Sequence, residues 1–378
     1  MRIAVLSETD PVETRVATTP EMVKKYKNLG ADVVVQSGAG LKSSLPDGEF
    51  EAAGATIAQS AQDAVRDADI VLKVRRPADG ELNGLKKGAL LIGIMDPYGQ
   101  DAALKALADA GASAFSMELM PRITRAQVMD VLSSQANLAG YRAMVDAAEE
   151  YGKAVPMMMT AAGTVPAARV FVMGAGVAGL QAIATARRMG GIVTATDVRP
   201  AAKEQVESLG AKFIAVEDEE FKQAETAGGY AKEMSKEYQA KQAELVASHI
   251  AKQDIVITTA LIPGRPAPKL ISRAMVESMK PGSVIVDLAV ERGGNCEGAK
   301  PGEVADHNGV KIVGYLNLPG RLPTSASSLY ARNLYAFVET LVDKATKQLA
   351  VKWDDELVKA TCLTRDGAIV HTAFQPKT

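Results

Sequence analysis

The sequence is poor in the side chains that most often carry chemistry. Its 378 residues include three histidines, two cysteines and one tryptophan. His249, His307 and His371 stand far apart and in no ligand spacing, which argues against a metal site. Cys296 and Cys362 are too few for a disulfide framework. With no secretory leader, they point to a reducing compartment. The opening MRIAVLSETD reads as a first strand rather than a signal peptide. No apolar run reaches 18 residues, so no direct membrane span is expected. Neither sign of charge dominates: 43 Lys and Arg face 45 Asp and Glu, and a net charge of −2 gives no basic surface for nucleic acid. What remains is an ordinary globular balance, 47% hydrophobic and 23% charged, in a chain long enough for two domains.

Glycine is what the sequence does place with care. Residues 169–200 read RVFVMGAGVAGLQAIATARRMGGIVTATDVRP. A short apolar run, Val170 to Met173, leads into Gly174-Ala-Gly176-Val177-Ala-Gly179, and helical spacing follows from Leu180 to Met189. A second apolar run, Ile192 to Thr196, ends at Asp197. Strand, glycine turn, helix, strand and acid come in the order a dinucleotide site needs. Gly174 permits the tight turn, Gly176 lets the backbone approach a pyrophosphate, and Gly179 lets helix and strand pack closely. The helix N-terminus offers free N–H groups and a positive dipole end. Asp197 stands where a carboxylate binds a ribose 2′-OH, and it would repel a 2′-phosphate, so NAD(H) is favoured over NADP(H). Arg199, two residues on, argues the other way, since an arginine can accept that phosphate.

Around this stretch the chain alternates short apolar runs with helical patterns. Strands are expected at residues 2–6, 31–36, 70–74, 89–94 and 113–117, with a helix capped by Thr19 and Pro20 and stopped at Gly30. Residues 118–134 break the alternation; they read as a solvated loop leading into a long helix from Val128 to Tyr151, where Gly140 allows close packing. Met157-Met-Met159 reads as filling an apolar gap. Beyond Asp197 a helix at 201–209 and strands at 212–216, 254–260, 283–287 and 310–315 are expected, and a helix at 325–347 returns to the first domain, where the tail adds a small element. The polar stretch 217–242 contains Thr226-Ala-Gly228-Gly229-Tyr230 and reads as a mobile loop. The expected fold is α/β: two Rossmann-like doubly wound domains with mainly parallel sheets, joined by long helices across a cleft. The boundaries are 1–134 plus 322–378 for an N-terminal domain and 135–321 for the nucleotide-binding one. The first region lacks a glycine fingerprint and is not expected to bind a dinucleotide in the same way.

A dehydrogenase usually needs an acid or base beside its cofactor, and no histidine lies near a strand end to serve. Arg15 and Lys73 have the chemistry to hold a carboxylate substrate, although each reads equally well as a surface cation.

Longer stretches are specific. ETRVATTP (13–20), PRITRAQVMDVLSSQANLAGYRA (121–143), VMGAGVAGLQAIATARRMGGIVTATDVRPAAKEQVESLGAKF (172–213), TAGGYAKEM (226–234), TTALIPGRPAP (258–268), MKPGSVIVDLAVERGGN (279–295) and TRDGAIVH (364–371) together resemble the NAD(H)-binding component of proton-translocating NAD(P) transhydrogenases. The superfamily is shared with alanine dehydrogenase. Alanine dehydrogenases carry a catalytic histidine shortly after the strand bearing the substrate lysine; here that region reads Leu91-Ile-Gly-Ile-Met95-Asp96-Pro-Tyr98, and the acidic residue those enzymes use after VDLA is Glu291. Both departures count against amino-acid oxidation.

The resemblance implies direct hydride transfer between NAD(H) on this chain and NADP(H) on a partner component, with no small substrate and no proton released at the site. It implies that Arg122, Gln127 and Asp130 serve transfer. The same loop, with Ile123, Thr124, Arg125 and Ser133, would hold the nicotinamide end. Gly174, Gly176, Val177 and Gly179 would bind the nucleotide together with Asp197, Val198 and Arg199. Gly229, Tyr230, Ala260 and Leu261 would complete the site, with Tyr230 closing over it. The resemblance further implies a homodimer, a separate subunit on the cytoplasmic face of the membrane, and a membrane-spanning partner that moves the protons. Two rival readings are a free-standing alanine-type dehydrogenase and a non-catalytic NAD(H) sensor.

Overall fold

The protein's structure, a computed structural model, describes residues 1–78, 80–222 and 234–375. The chain divides into two compact units, Met1–Gln135 with Gly320–Thr378, and Ala136–Pro319.

The first unit is built on strands whose apolar runs are buried on both faces. They are β1 (Arg2–Val5), β2 (Asp32–Gln36), β3 (Thr56–Ala58), β4 (Ile70–Arg75), β5 (Leu90–Ile94) and β6 (Ser113–Ser116). All pair in parallel in the order β3-β2-β1-β4-β5-β6. Alternate residues serve opposite layers: Ile3 and Val5 join one core, Ala4 and Leu6 the other. Helices α1 (Pro20–Asn28) and α2 (Asp47–Ala52) cover the first face, and α3 (Ala61–Val65) and α4 (Asp101–Asp109) the second. Thr19 caps α1 by accepting from the Met22 N–H, and Gly30, at φ +85°, ends it, as its sequence predicts. The long helix α5 (Val131–Glu150) carries the chain past the division.

The second unit opens with a hairpin, β7 (Met158–Thr160) and β8 (Gly163–Val165). Its main sheet comprises β9 (Arg169–Met173), β10 (Ile192–Thr196), β11 (Lys212–Phe213), β12 (Ile255–Thr258), β13 (Val284–Asp287), β14 (Val304–His307) and β15 (Val310–Val313). The order is β11-β10-β9-β12-β13-β15-β14, parallel except for β14 at the edge. Helices α6 (Val177–Arg188), α7 (Ala202–Ser208), α8 (Glu219–Lys222), α9 (Lys236–Ile250) and α10 (Arg273–Ser278) complete it. Gly140 of α5 is required by packing: a Cβ there would stand 2.0 Å from the Ala178 carbonyl oxygen of α6. The chain then returns to the first unit. There α11 (Pro323–Thr340) joins α1 and α2 on the same core. The hairpins β16 (Val342–Asp343) with β17 (Gln348–Leu349) and β18 (Thr364–Arg365) with β19 (Ala368–Ile369) flank α12 (Glu356–Thr361).

Several expectations change. Met157, Met158 and Met159 do not fill a gap; they are exposed, at 57%, 44% and 78%, Met157 just before the β7–β8 hairpin and the other two on β7. The long helix starts at Val131 rather than Val128, because residues Thr124–Met129 form a separate 3₁₀ turn. The returning helix stops at Thr340, and its expected last turns belong to the β16–β17 hairpin. Within the stretch expected to be a mobile loop, residues from Lys236 onward form α9, capped by Ser235. Gly228, Gly229 and Tyr230 lie outside the described residues.

The two units repeat one another in detail. In each, the first strand's opening N–H donates to the aspartate preceding the fourth strand: Arg2 to Asp69 and Arg169 to Asp254, both at 2.8 Å. In each, a left-handed glycine before the fifth strand donates to a left-handed glycine before the next parallel strand: Gly88 to Gly111 and Gly282 to Gly309.

Candidate functional site

A doubly wound sheet offers its ligand crevice at the carboxyl ends of the strands flanking the point where strand order reverses. In the second unit that point lies between β9 and β12, and the glycine loop follows β9 directly. Each glycine has a distinct reason to be there. Gly174 sits at φ +104°, and a Cβ on it would meet Thr259 Oγ1 at 2.4 Å. A Cβ on Gly179 would stand 1.8 Å from the Gly174 carbonyl oxygen. At Gly176 a Cβ would meet nothing within 4 Å, so that position faces open space. The first two make the turn and its packing; the third leaves room for a ligand against the backbone. Gly176 also precedes α6 with no side-chain cap, so the first-turn N–H groups, with Val177 exposed, stay available to an anion. These features fit the pyrophosphate of a dinucleotide.

Asp197 follows β10 and is 7% exposed. Its carboxylate accepts the Ala175 N–H at 2.7 Å and the Arg199 N–H at 2.9 Å, and the Arg199 guanidinium at 3.0 and 3.1 Å. Val198 is exposed beside it. Ala260 and exposed Leu261 follow β12 in the same unit. The Ala260 backbone is held by Asn295, fully buried, which accepts from the Ala260 N–H and donates to the Ala260 and Pro268 carbonyls. Thr259 Oγ1 donates to the carbonyls of Met173 and Gly174, tying the glycine turn to β12. Sequence reasoning misses Thr259 and Asn295. Both lie in motifs it marks, TTALIPGRPAP (258–268) and MKPGSVIVDLAVERGGN (279–295). Asp287, which fixes the Ala289 and Cys296 N–H groups, is raised by burial above its usual carboxyl range despite those bonds.

Arg122, Ile123, Thr124, Arg125, Gln127, Asp130 and Ser133 all belong to the first unit. Gln127 is exposed on the 3₁₀ turn Thr124–Met129, which Ile123 opens, and Arg122 is exposed just before it. The Asp130 carboxylate starts α5: it accepts from the Ser133 N–H at 2.9 Å and from Ser133 Oγ at 2.5 Å. Arg125 pairs with Asp355 through two parallel bonds of 2.9 and 2.7 Å. Asn333 of α11, which sequence reasoning also misses, holds the turn from beneath: its amide donates to the Val128 carbonyl at 2.8 Å and accepts from Ser134 Oγ at 2.7 Å.

Arg15 and Lys73 are not surface cations. They are 6% and 1% exposed. Glu13 takes the Arg15 guanidinium with two bonds of 2.7 Å and Arg75 Nε with a third. Burial disfavours the Glu13 charge, yet these arginines outweigh it and hold its carboxyl down at about 2. Lys73 Nζ lies 2.8 Å from Glu81 and 3.6 Å from Glu8. Burial pushes the Glu8 carboxyl up to about 7, against the pull of Lys73 and the Val74 N–H. Each cation that could grip a small carboxylate already has one from the chain itself.

Two doubly wound units, one with a dinucleotide-type glycine loop and a ribose-type acid, define a protein of the dehydrogenase class of architecture. Residues 4–139 match the N-terminal domain, and residues 143–372 the C-terminal domain, of the family described as alanine dehydrogenase/PNT. The chain belongs to that family. It is 57% identical over 379 residues to an NAD(P) transhydrogenase alpha-subunit protein of Rhodospirillum rubrum, covering 99% of both. A solved structure of transhydrogenase from Sinorhizobium meliloti superposes with a TM-score of 0.90 at 64% identity, over 98% of this chain and 100% of that one. Similarity to alanine dehydrogenase of Mycobacterium tuberculosis is lower, 30% over 98% of this chain and 95% of that protein.

Proposed function

We propose that the chain is the NAD(H)-binding subunit of a proton-translocating NAD(P) transhydrogenase, exchanging hydride with NADP(H) on a partner component. One observation carries this reading: the full-length likeness at 57% to a transhydrogenase alpha-subunit protein, against 30% to alanine dehydrogenase. The first unit supports it. Its two buried cations are engaged by the chain's own carboxylates, and Met95-Asp96 stands where an alanine dehydrogenase would carry its histidine.

The substrate nucleotide supplies the reacting carbon of its nicotinamide ring; the chain supplies position. Gly174, Gly176 and Gly179 with the α6 N-terminus hold the pyrophosphate, Asp197 the adenosine ribose, and Val198, Ala260 and Leu261 flank it. Gln127 offers its amide to the nicotinamide carboxamide, while Asp130 and Ser133 fix the start of α5 beneath it. A neutral amide does no acid–base work, which suits a ring-to-ring transfer that releases no proton of its own. Among the described residues no helix is long and apolar enough to cross a membrane, so the reading assigns proton movement to a membrane-spanning partner. It also takes the chain as a homodimer, and the exposed methionines of the β7–β8 hairpin are the kind of apolar surface a subunit interface covers.

The test is single-turnover hydride transfer between NADH on this chain and an NADP⁺ analogue on a purified NADP(H)-binding component. Gln127→Asn keeps the amide and shortens its reach. A displacement of about 1 Å costs on the order of 10²-fold in rate, while NADH affinity should change little. Transfer at the native rate by the variant removes Gln127 from the mechanism. Turnover of alanine with NAD⁺, without any transfer between nucleotides, overturns the reading.

A further inference from the structure

Asp197 has no room for a ribose as it stands. A carboxylate offers about four acceptor positions, and four are taken: Oδ1 by the Arg199 N–H at 2.9 Å and Arg199 Nε at 3.0 Å, Oδ2 by the Ala175 N–H at 2.7 Å and Arg199 Nη2 at 3.1 Å. Two of these donors are backbone and fixed. The other two come from the guanidinium fork of a side chain that is 32% exposed. The same fork donates to the Ala175 carbonyl at 3.3 Å, which lays it along the glycine turn.

We propose that Arg199 is a displaceable cap on the nucleotide site, mimicking the two hydroxyl donors of a ribose and leaving Asp197 when NAD(H) binds. The proposal rests on the reading that Asp197 binds the ribose. A carboxylate only 7% exposed is costly without a partner, and in the absence of nucleotide the guanidinium supplies one. A site that must open before it binds also has its affinity reduced by the open fraction. Arg199 thereby holds the nucleotide site below its intrinsic affinity, favouring exchange of one nucleotide for the next. The sequence presents the same arginine as an acceptor for a 2′-phosphate; the geometry engages it with the acid that would repel that phosphate.

The experiment is stopped-flow binding of NADH and of NADPH to the full chain, its Arg199→Leu and Arg199→Lys variants, and the double variant Asp197→Asn with Arg199→Leu. Removing the cap should raise the NADH association rate by about two- to fivefold, the size expected for one partly exposed ion pair. The dissociation rate should hardly move. Lysine, which keeps the charge without the fork, should fall between. In the Asp197→Asn background, Arg199→Leu should give no gain. Weaker NADH binding by Arg199→Leu would show that the guanidinium holds the nucleotide, and overturns the cap. So does unchanged NADH binding with selective loss of NADPH, the signature of a phosphate acceptor. If the unaltered chain binds no NADH, the nucleotide reading itself falls; if it binds NADH and the variants do not differ, the cap alone falls.

Discussion

The turn after the first strand takes two forms in this molecule, on the same scaffold. Val5 pairs with Val35 in one unit and Met173 with Thr196 in the other. In each, the residue two beyond the first strand donates its N–H to the side chain that follows this pair on the second strand: Ser7 to Gln36 at 2.9 Å, Ala175 to Asp197 at 2.7 Å. From there they diverge. In the second unit α6 begins at Val177, aiming free N–H groups at the turn. In the first unit no helix follows until Pro20, and the intervening loop carries Glu8 and Glu13 into a buried set of ion pairs with Lys73, Arg15 and Arg75. One topology thus yields an uncapped helix N-terminus or a self-neutralised charge cluster, depending on whether glycine or glutamate follows the strand.

The largest expected effect tests the glycine turn. Gly179→Ala puts a methyl group where the Gly174 carbonyl oxygen stands, so the second unit should lose about 1–3 kcal/mol to overpacking and its NADH binding altogether. Gly176→Ala, which meets open space, should keep native stability and lose binding only. Thermal denaturation with NADH fluorescence titration separates the two. Equal destabilisation by both would break the division of labour among these glycines.

The charge cluster is tested by pH. Glu8 in the folded chain holds its proton up to about 7, against 4.5 for an ordinary glutamate. A raised carboxyl favours the folded state at low pH, so this contribution is full below about 4.5 and is lost as pH rises to about 7. Glu13, held down at about 2, acts with the opposite sign: its contribution is present above about 4.5 and fades as pH falls toward 2. Glu8→Gln should therefore flatten the fall in stability between pH 4.5 and 7, by up to about 3 kcal/mol at 1.4 kcal/mol per pKa unit. Urea midpoints across that range measure it, and an unchanged pH slope contradicts it.

The paired strand-tip residues give the smallest and sharpest contrast. Asp197→Ala should weaken NADH binding by about 1–3 kcal/mol, the scale for a hydrogen bond to a charged group. Gln36→Ala should cost about 0.5–1.5 kcal/mol of stability, one neutral hydrogen bond, and leave NADH affinity alone. Equilibrium titration of both variants decides it. A change in nucleotide affinity at Gln36 would mean that the first unit takes part in binding in a way its sequence does not announce.

By itself the sequence determined whatever rests on local chemistry. Buried parallel strands read as apolar runs, Thr19-Pro20 and Gly30 mark the two ends of α1, and the glycine spacing marks the turn from β9 into α6, because turns and caps are dictated by neighbours along the chain. The short strands β3 and β14 and the whole of α9 carry too little periodicity to stand out against polar surroundings. The resemblance to a family supplies the Arg122, Gln127 and Asp130 constellation, which no spacing rule would find. Only tertiary structure decided the rest. Arg15 and Lys73 look like surface cations until residues 8, 13 and 81 fold against them. The three methionines look like core until they are found exposed at a two-stranded hairpin that is separate from the main sheet. Asn333 reaches the Gln127 turn across 205 residues of chain. Partnership of this kind is a property of distance in space, and a sequence records only distance along the chain.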